Sequence, residues 1–198
     1  MSNIFLVSDH HFGHENILKF KYLDGVTLIR PEFSSVEHMN EEMIRRHNMV
    51  VTDNDKVYFL GDVAFNAKVF HSVMPRLKGK KSLILGNHDK LRPDDYLKYF
   101  KNIYSARFMG DVEPKLVLCH YPLHINANHP NHPICVHGHI HEKEIECTRE
   151  MESGHRTFMK TGPDPAYFNV SVEKIDYTPI ELSELVKRIK GRIEQWAQ

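Results

Sequence analysis

The sequence predicts an α/β layered domain, on three observations. Short apolar runs rich in β-branched and aromatic residues alternate with segments of helical spacing. Each run is bounded by charge, Gly or Pro, as strands are. The runs and helices alternate along one chain of 198 residues with no linker or repeat to divide it, so one domain over residues 1–198 is expected.

Taken in order, residues 4–8 read as a buried first strand and residues 56–60 (KVYFL) as a second. Residues 81–85 (KSLIL), 115–119 (KLVLC) and 133–136 follow as three more. Between the first two, residues 35–50 carry Val36, Met39, Met43, Ile44 and His47 near helical spacing, with Ser34 or Ser35 offered as N-cap. Residues 66–75 and 93–99 read as further helices, and 181–196 as an amphipathic one with Leu182, Leu185, Val186, Ile189 and Ile193 on one stripe. Residues 143–149 and 155–160 flank Ser153-Gly154 as a hairpin, and 167–172 (YFNVSV) form a late strand.

Composition narrows the function. Lys plus Arg and Asp plus Glu balance at 26 each, so no general attraction to nucleic acid or an anionic membrane is expected. No run approaches ~20 apolar residues, so no membrane span is expected. Cys119, Cys135 and Cys147 fit no disulfide framework, which predicts a reducing, cytoplasmic setting, with the first two read as strand core. Histidine is in excess at 15 copies, and histidine is both the commonest metal ligand and a general acid near neutral pH.

The polar residues fall where chemistry is expected. Asp9 and His11 follow the first strand, Gly61-Asp62 the second, and Gly86-Asn87-His88-Asp89 the third. His120 follows the fourth and Gly138-His139-Ile140-His141 the fifth. In an open α/β sheet the carboxyl ends of the strands line the ligand crevice. Singly, each of these is as well explained by a polar turn, since Gly, Asn and Asp are ordinary turn formers. Five in succession are not.

The order DxH, GD, GNHD, H, GHxH resembles the signature of the calcineurin-like metallophosphoesterases, and the likeness spans residues 9–141. The segments Ser8-Asp9-His10-His11-Phe12-Gly13-His14, Gly61-Asp62-Val63-Ala64, His120-Tyr121-Pro122-Leu123 and Asn169-Val170-Ser171-Val172 are similar to those of small bacterial and phage phosphoesterases of that superfamily. The resemblance implies a layered β-sandwich flanked by helices, with the metal site at the C-terminal ends of strands. It assigns Asp9, His11 and His141 to one metal ion, Asn87, His120 and His139 to a second, and Asp62 to both as a bridge through its two oxygens. His88 is implied as the acid that protonates or stabilises the leaving oxygen, and a bridging hydroxide as the nucleophile. Imidazole and carboxylate donors without thiolate suit two divalent ions, Mn²⁺ first, with Fe, Zn, Ni or Co as options.

His10, His14 and His137 adjoin these motifs, as substrate contacts, as partners that orient ligands, or as buried polar residues. Arg30 is a candidate phosphate clamp or an exposed loop residue. His124, His129 and His132 lie in a Pro- and Asn-rich loop that is either solvated or a pocket wall. Met39, Met43, Phe65 and Phe70 are core or part of a dimer face, and the oligomeric state stays open. Residues 140–167 are a candidate cap over the site. The segment after Asp62, Val63-Ala64-Phe65-Asn66, departs from the GDxVDRG pattern of protein serine/threonine phosphatases. The departure favours a small phosphomonoester, phosphodiester or nucleotide as substrate. A nuclease of the same superfamily, a scaffold without catalysis and a histidine-rich metal buffer are the rival readings.

Overall fold

A computed structural model of the chain describes residues 2–124, 133–153 and 156–197. Four parallel strands, β1 (Ile4–Val7), β2 (Lys56–Phe59), β3 (Lys80–Ile84) and β4 (Phe100–Tyr104), build one sheet. Their crossovers carry α1 (Val36–Val50), α2 (Ala67–Val73) and α3 (Pro93–Leu97). The second sheet contains β5 (Ala106–Met109), β6 (Leu116–Cys119) and β7 (Ile134–His137). After the hairpin β8 (Glu146–Ser153) and β9 (Arg156–Pro163), β10 (Tyr167–Asn169) joins that second sheet beside β7. The chain closes with β11 (Ile180–Glu181), antiparallel to β1, and α4 (Leu182–Ala197). The sheet orders are β11-β1-β2-β3-β4 and β10-β7-β6-β5.

One buried cluster draws side chains from both sheets, including Leu6, Val57, Phe59 and Leu83 from the first and Leu116, Leu118, Val136 and Phe168 from the second. Burial explains the unbroken apolar runs: Leu6, Val7, Leu116 and Leu118 have no exposed surface, so their strands have no solvent face to alternate with. In α1 the residues that turn inward are Met39, Met43, Ile44 and His47, and Ser35 caps the helix by accepting the His38 N–H at 3.1 Å. Such a cap is worth about 1 kcal/mol. Met39, Met43 and Phe70 are core, whereas Phe65 is 56% exposed.

Three strands escaped the sequence reading: the two-residue β11, and β4 with β5. Residues 98–109 pass from α3 into β4, turn at Ser105 and continue as β5. Both are edge strands, one in each sheet, so they carry exposed Lys101 and Arg107 and lack the apolar density of the inner strands. The late strand is also shorter than residues 167–172: β10 stops at Asn169, and Ser171 contributes a single bridge to Ser8. The hairpin is longer than expected, and residues 154–155 of its turn lie outside the described residues. It leans on α4, where the Trp196 indole N–H donates to the Pro163 carbonyl at 2.8 Å. Of the stretch expected as a cap, residues 140–143 line a groove beside the candidate ligands; no described residue of 146–163 does.

No helix among the described residues is long and apolar enough to cross a membrane. Cys119, Cys135 and Cys147 are free, and the first two are buried in β6 and β7.

Candidate metal centre

Parallel pairing puts the ends of β1, β2 and β3 on one edge of the first sheet, and the ends of β6 and β7 on one edge of the second. The loops leaving these ends are laced together by their backbones. The Asp9 N–H donates to the Gly61 carbonyl (3.1 Å), that of His11 to Asp62 (3.0 Å) and that of Phe12 to Val63 (3.0 Å). The Val172 N–H donates to the Ser8 carbonyl (3.0 Å), which joins the two sheets at this edge. Asp89 ties the second and third loops, accepting the amides of Asp62 and Gly86 at 2.9 Å and that of Val63 at 3.2 Å.

The backbone is strained where the candidate ligands sit. Asp9 (φ 59°), His11 (50°), Asp62 (52°), His139 (70°) and His141 (52°) all adopt left-handed conformations. Among the described residues, Asp176 and Tyr177 are the only other non-glycine residues that do so. Each such residue costs on the order of 1 kcal/mol or more, and such strain concentrates at functional sites. Two glycines make room. A side chain at Gly86 would fall on the Asp62 carboxylate, and one at Gly138 on Asp9 Oδ2 and Ser8 Oγ.

The structure brings the expected side chains into two clusters that share Asp9. Ligand atoms of Asp9, His11 and His141 lie within 4.8 Å of one another, as do those of Asp9, Asp62 and His120. Asp62 Oδ2 is 3.5 Å from His11 Nε2 and 3.5 Å from His120 Nε2, midway between the two imidazoles. The other oxygen, Oδ1, accepts the His88 N–H at 2.8 Å. Oδ2 thus faces both imidazoles, while Oδ1 is tied to the backbone. Asn87 Oδ1 meets His120 Nε2 at 2.9 Å. Neither cluster includes His139, which the sequence reading gave to the second ion. Its N–H is tied to Asp9 Oδ2 (2.9 Å), and its ring, 5.1 Å from that of His120, leans on Tyr121 at the rim.

These donors fit divalent cations. Asp9 Oδ1 and His11 Nε2 are buried without any hydrogen-bond partner, an expense that a cation removes. His120 Nδ1 lies 2.8 Å from the Leu60 carbonyl, so that nitrogen carries the proton and Nε2 turns a lone pair towards Asn87 Oδ1. Two acceptors facing at that distance call for a positive charge between them. Burial depresses the pKa of His11 far below the ordinary value and that of His139 to a lesser degree, keeping both imidazoles neutral as ligation requires. Burial also pushes Asp9 up, against the pull of His120 and His141.

Several partners of the site had no role in the sequence reading. Glu173 accepts from His141 Nδ1 at 3.0 Å, which leaves Nε2 for a metal and fixes the ring. Burial lowers the pKa of His141, but the carboxylates of Glu173 and Asp9 outweigh it and hold the imidazole above its ordinary value. Burial works to raise Glu173, but Arg30 and His141 prevail and bring it down to about 2. Ser171 Oγ donates to Asp9 Oδ2 at 3.0 Å. Ser171 and Glu173 follow the late strand just as Asp9 follows the first, and that was the signal available for them.

The remaining candidates divide. Arg30 is neither an exposed loop residue nor free to clamp phosphate: it is 0% exposed, and its guanidinium is committed to Glu173 (2.7 and 2.9 Å) and to the carbonyls of Asp9 (2.7 Å) and His10 (2.9 Å). His137 is buried with Nδ1 2.8 Å from the Gly138 carbonyl, and His10 is buried between Phe12 and Phe59. His14 remains at the site: its ring is 5.7 Å from His11 and stacks on Phe65 at 4.6 Å. His88 is exposed, with its ring edge-on to His11 at 5.4 Å. His124 is exposed, while His129 and His132 lie outside the described residues.

Residues 2–177 match the calcineurin-like phosphoesterase family, and the chain belongs to it. The family is one of hydrolytic phosphoesterases that bind divalent metals. The chain is 34% identical over 197 residues to "Uncharacterized protein MJ1445" of Methanocaldococcus jannaschii, covering 98% of this chain and 95% of that one. It is 25% identical over 175 residues to "Gene 66 protein" of Mycobacterium phage L5, covering 73% and 80%. A protein of unknown function from Aquifex aeolicus, AQ665, shares the fold with a TM-score of 0.63 at 23% identity, over 94% of this chain and 99% of that structure.

Proposed function

We propose that the chain hydrolyses a phosphodiester or phosphomonoester of a small or nucleotide-like molecule, using two divalent metal ions, Mn²⁺ by preference. The observation that carries this reading is Asp62 Oδ2, 3.5 Å from both His11 and His120, with the orphaned donors of Asp9 and His11 beside it. Asp9, His11, His141 and Asp62 would hold one ion, and Asp62, Asn87 and His120, with His139 from the rim, the other. When bound, such ions supply an acidified water as nucleophile and positive charge against the phosphoryl oxygens.

The chain's own residues do the rest. Hydrolysis adds water across the P–O ester bond, and the departing oxygen requires a proton. His88 is exposed beside His11 and is the group proposed to give it, while its backbone N–H anchors Asp62. Glu173 holds the His141 ring in register, and Asp89 keeps the Asp62 and Asn87 loops together.

The test is hydrolysis of bis-p-nitrophenyl phosphate and p-nitrophenyl phosphate by metal-stripped protein, with each metal restored in turn. Turnover should return with metal and fall at least ~100-fold in Asp62→Asn and His88→Ala, the range that a general acid supplies. Stoichiometric binding of two ions without turnover would instead favour the scaffold or metal-buffer reading.

A further inference from the structure

A groove of about 470 Å³ shares His139 and His141 with the metal centre. Its apolar side chains are Phe20, Leu23 and Ile29 from one segment and Ile140 from the other. That volume lies within the usual range for small-molecule sites. Charges at the groove are mixed, Lys21 and Lys143 against Glu142, so they do not select an anion; the apolar shelf is the distinctive feature.

The shelf is exposed yet rigidly held. Leu23 is 95% exposed and Phe20 46%. The segment bearing them is a tight turn closed by Ile29 N–H to Phe20 (2.9 Å), Tyr22 N–H to Thr27 (2.9 Å) and Gly25 N–H to Tyr22 (3.0 Å). Asp24 braces the turn from inside, accepting the amides of Val26 and Thr27 at 2.9 Å and the Thr27 hydroxyl at 2.6 Å. Phe20 also meets the His14 ring edge-on at 5.7 Å. A braced turn that presents contiguous apolar side chains to water, next to a catalytic centre, marks a surface that a ligand covers.

We infer that this groove seats the organic group a phosphodiester keeps after cleavage, and that it takes a flat apolar group such as a nucleobase or aryl ring. The inference rests on the phosphoesterase reading and narrows it to diesters, because a monoester has no second organic group to occupy the shelf. Phe20 and Leu23 are then specificity residues.

Three diesters that release the same p-nitrophenolate isolate the effect: bis-p-nitrophenyl phosphate, thymidine 5′-(p-nitrophenyl phosphate) and methyl p-nitrophenyl phosphate. They share a leaving group and differ chiefly in the group retained. With Mn²⁺-loaded full-length protein, the first two should exceed the methyl ester in kcat/KM by roughly tenfold, chiefly through KM, as apolar pocket contacts of this size discriminate. Leu23→Asp and Phe20→Ala should collapse that ratio towards one, with two ions still bound by calorimetric titration. Leu23 is so exposed that its substitution leaves the fold intact should Phe20→Ala fail. Equal kcat/KM for all three esters, or a ratio that both variants leave unchanged, overturns the inference while the phosphoesterase reading stands. Hydrolysis of none of them with any metal overturns both.

Discussion

The edge with the candidate metal centre and the β8–β9 hairpin are held by opposite means. At the edge, five candidate residues accept left-handed backbones, two glycines yield space, and a buried Arg30–Glu173 pair sits behind His141. Everything there is local strain offset by bonds from distant parts of the chain: Arg30 reaches across 143 residues to Glu173, and Ser171 across 162 to Asp9. The hairpin pairs with itself along its full length, Glu146 with Pro163 through Ser153 with Arg156, and touches the body through Trp196 and the Gln195 carbonyl, which accepts from Lys160. Cooperativity differs between the two regions accordingly. A ligand edge tied together over long sequence separations fails with the whole fold, whereas a self-paired hairpin can open alone.

The largest effect is expected from Arg30→Met. It removes the guanidinium from a carboxylate with 2% of its side chain exposed. Stranding a buried partner costs about 3–5 kcal/mol. Denaturant unfolding should show a loss of that size, and metal titration should show affinity lowered about 10–100-fold through the His141–Glu173 contact. A stable variant with wild-type metal affinity would mean that the edge is not braced from behind.

Acid separates the core from the edge. His47 is buried in α1 with Nε2 3.0 Å from the Lys78 carbonyl, and burial lowers its pKa from 6.5 to about 4. The unfolded chain takes up that proton below pH 6.5, while the folded form resists until about pH 4. Stability from this group is therefore complete above pH 6.5 and is lost as pH falls towards 4, by about 3 kcal/mol in all. His11 and His139 are lowered by burial too, so metal-free protein should be acid-sensitive from both regions. The difference between wild type and His47→Gln in urea unfolding at pH 7 and pH 4.5 isolates the core share; an identical pH slope would assign the sensitivity to the edge alone.

The candidate ligands were legible because they follow inner strands, and inner strands announce themselves as unbroken apolar runs. Asp9, Asp62, His120 and His141 each read singly as turn residues, and it was the order of the five motifs, with its family resemblance, that set them apart. What supports them was not legible. Arg30 reads as a loop residue, and its burial follows from pairing with Glu173, a contact that no local pattern encodes. The placement of His139 at the rim turns on the Tyr121 ring and the Asp9 carboxylate, both tertiary neighbours. Edge strands β4 and β5 were missed for a related reason: with one side unpaired they carry the polar residues of a surface.

The smallest effect expected is at the hairpin. Trp196 donates its indole N–H to Pro163, and the Arg149 guanidinium and Lys160 ammonium lie 5.3 and 5.4 Å from its ring centre. Exposed cation–π contacts are worth about 0.5–1 kcal/mol each. Trp196→Ala should therefore release the hairpin by about 1–2 kcal/mol, a loss confined to that element. Amide exchange in β8 and β9 should quicken by roughly 10-fold, the factor that 1.4 kcal/mol represents, while exchange in β1, β2 and β6 stays at its wild-type rate. Because the Asp9 and Asp62 loops make no bond to the hairpin strands among the described residues, metal affinity should not follow the change. A fall in global stability approaching that of Arg30→Met would place β8 and β9 inside the same cooperative unit as the ligand edge, and the two regions would then differ in sequence range but not in how they unfold.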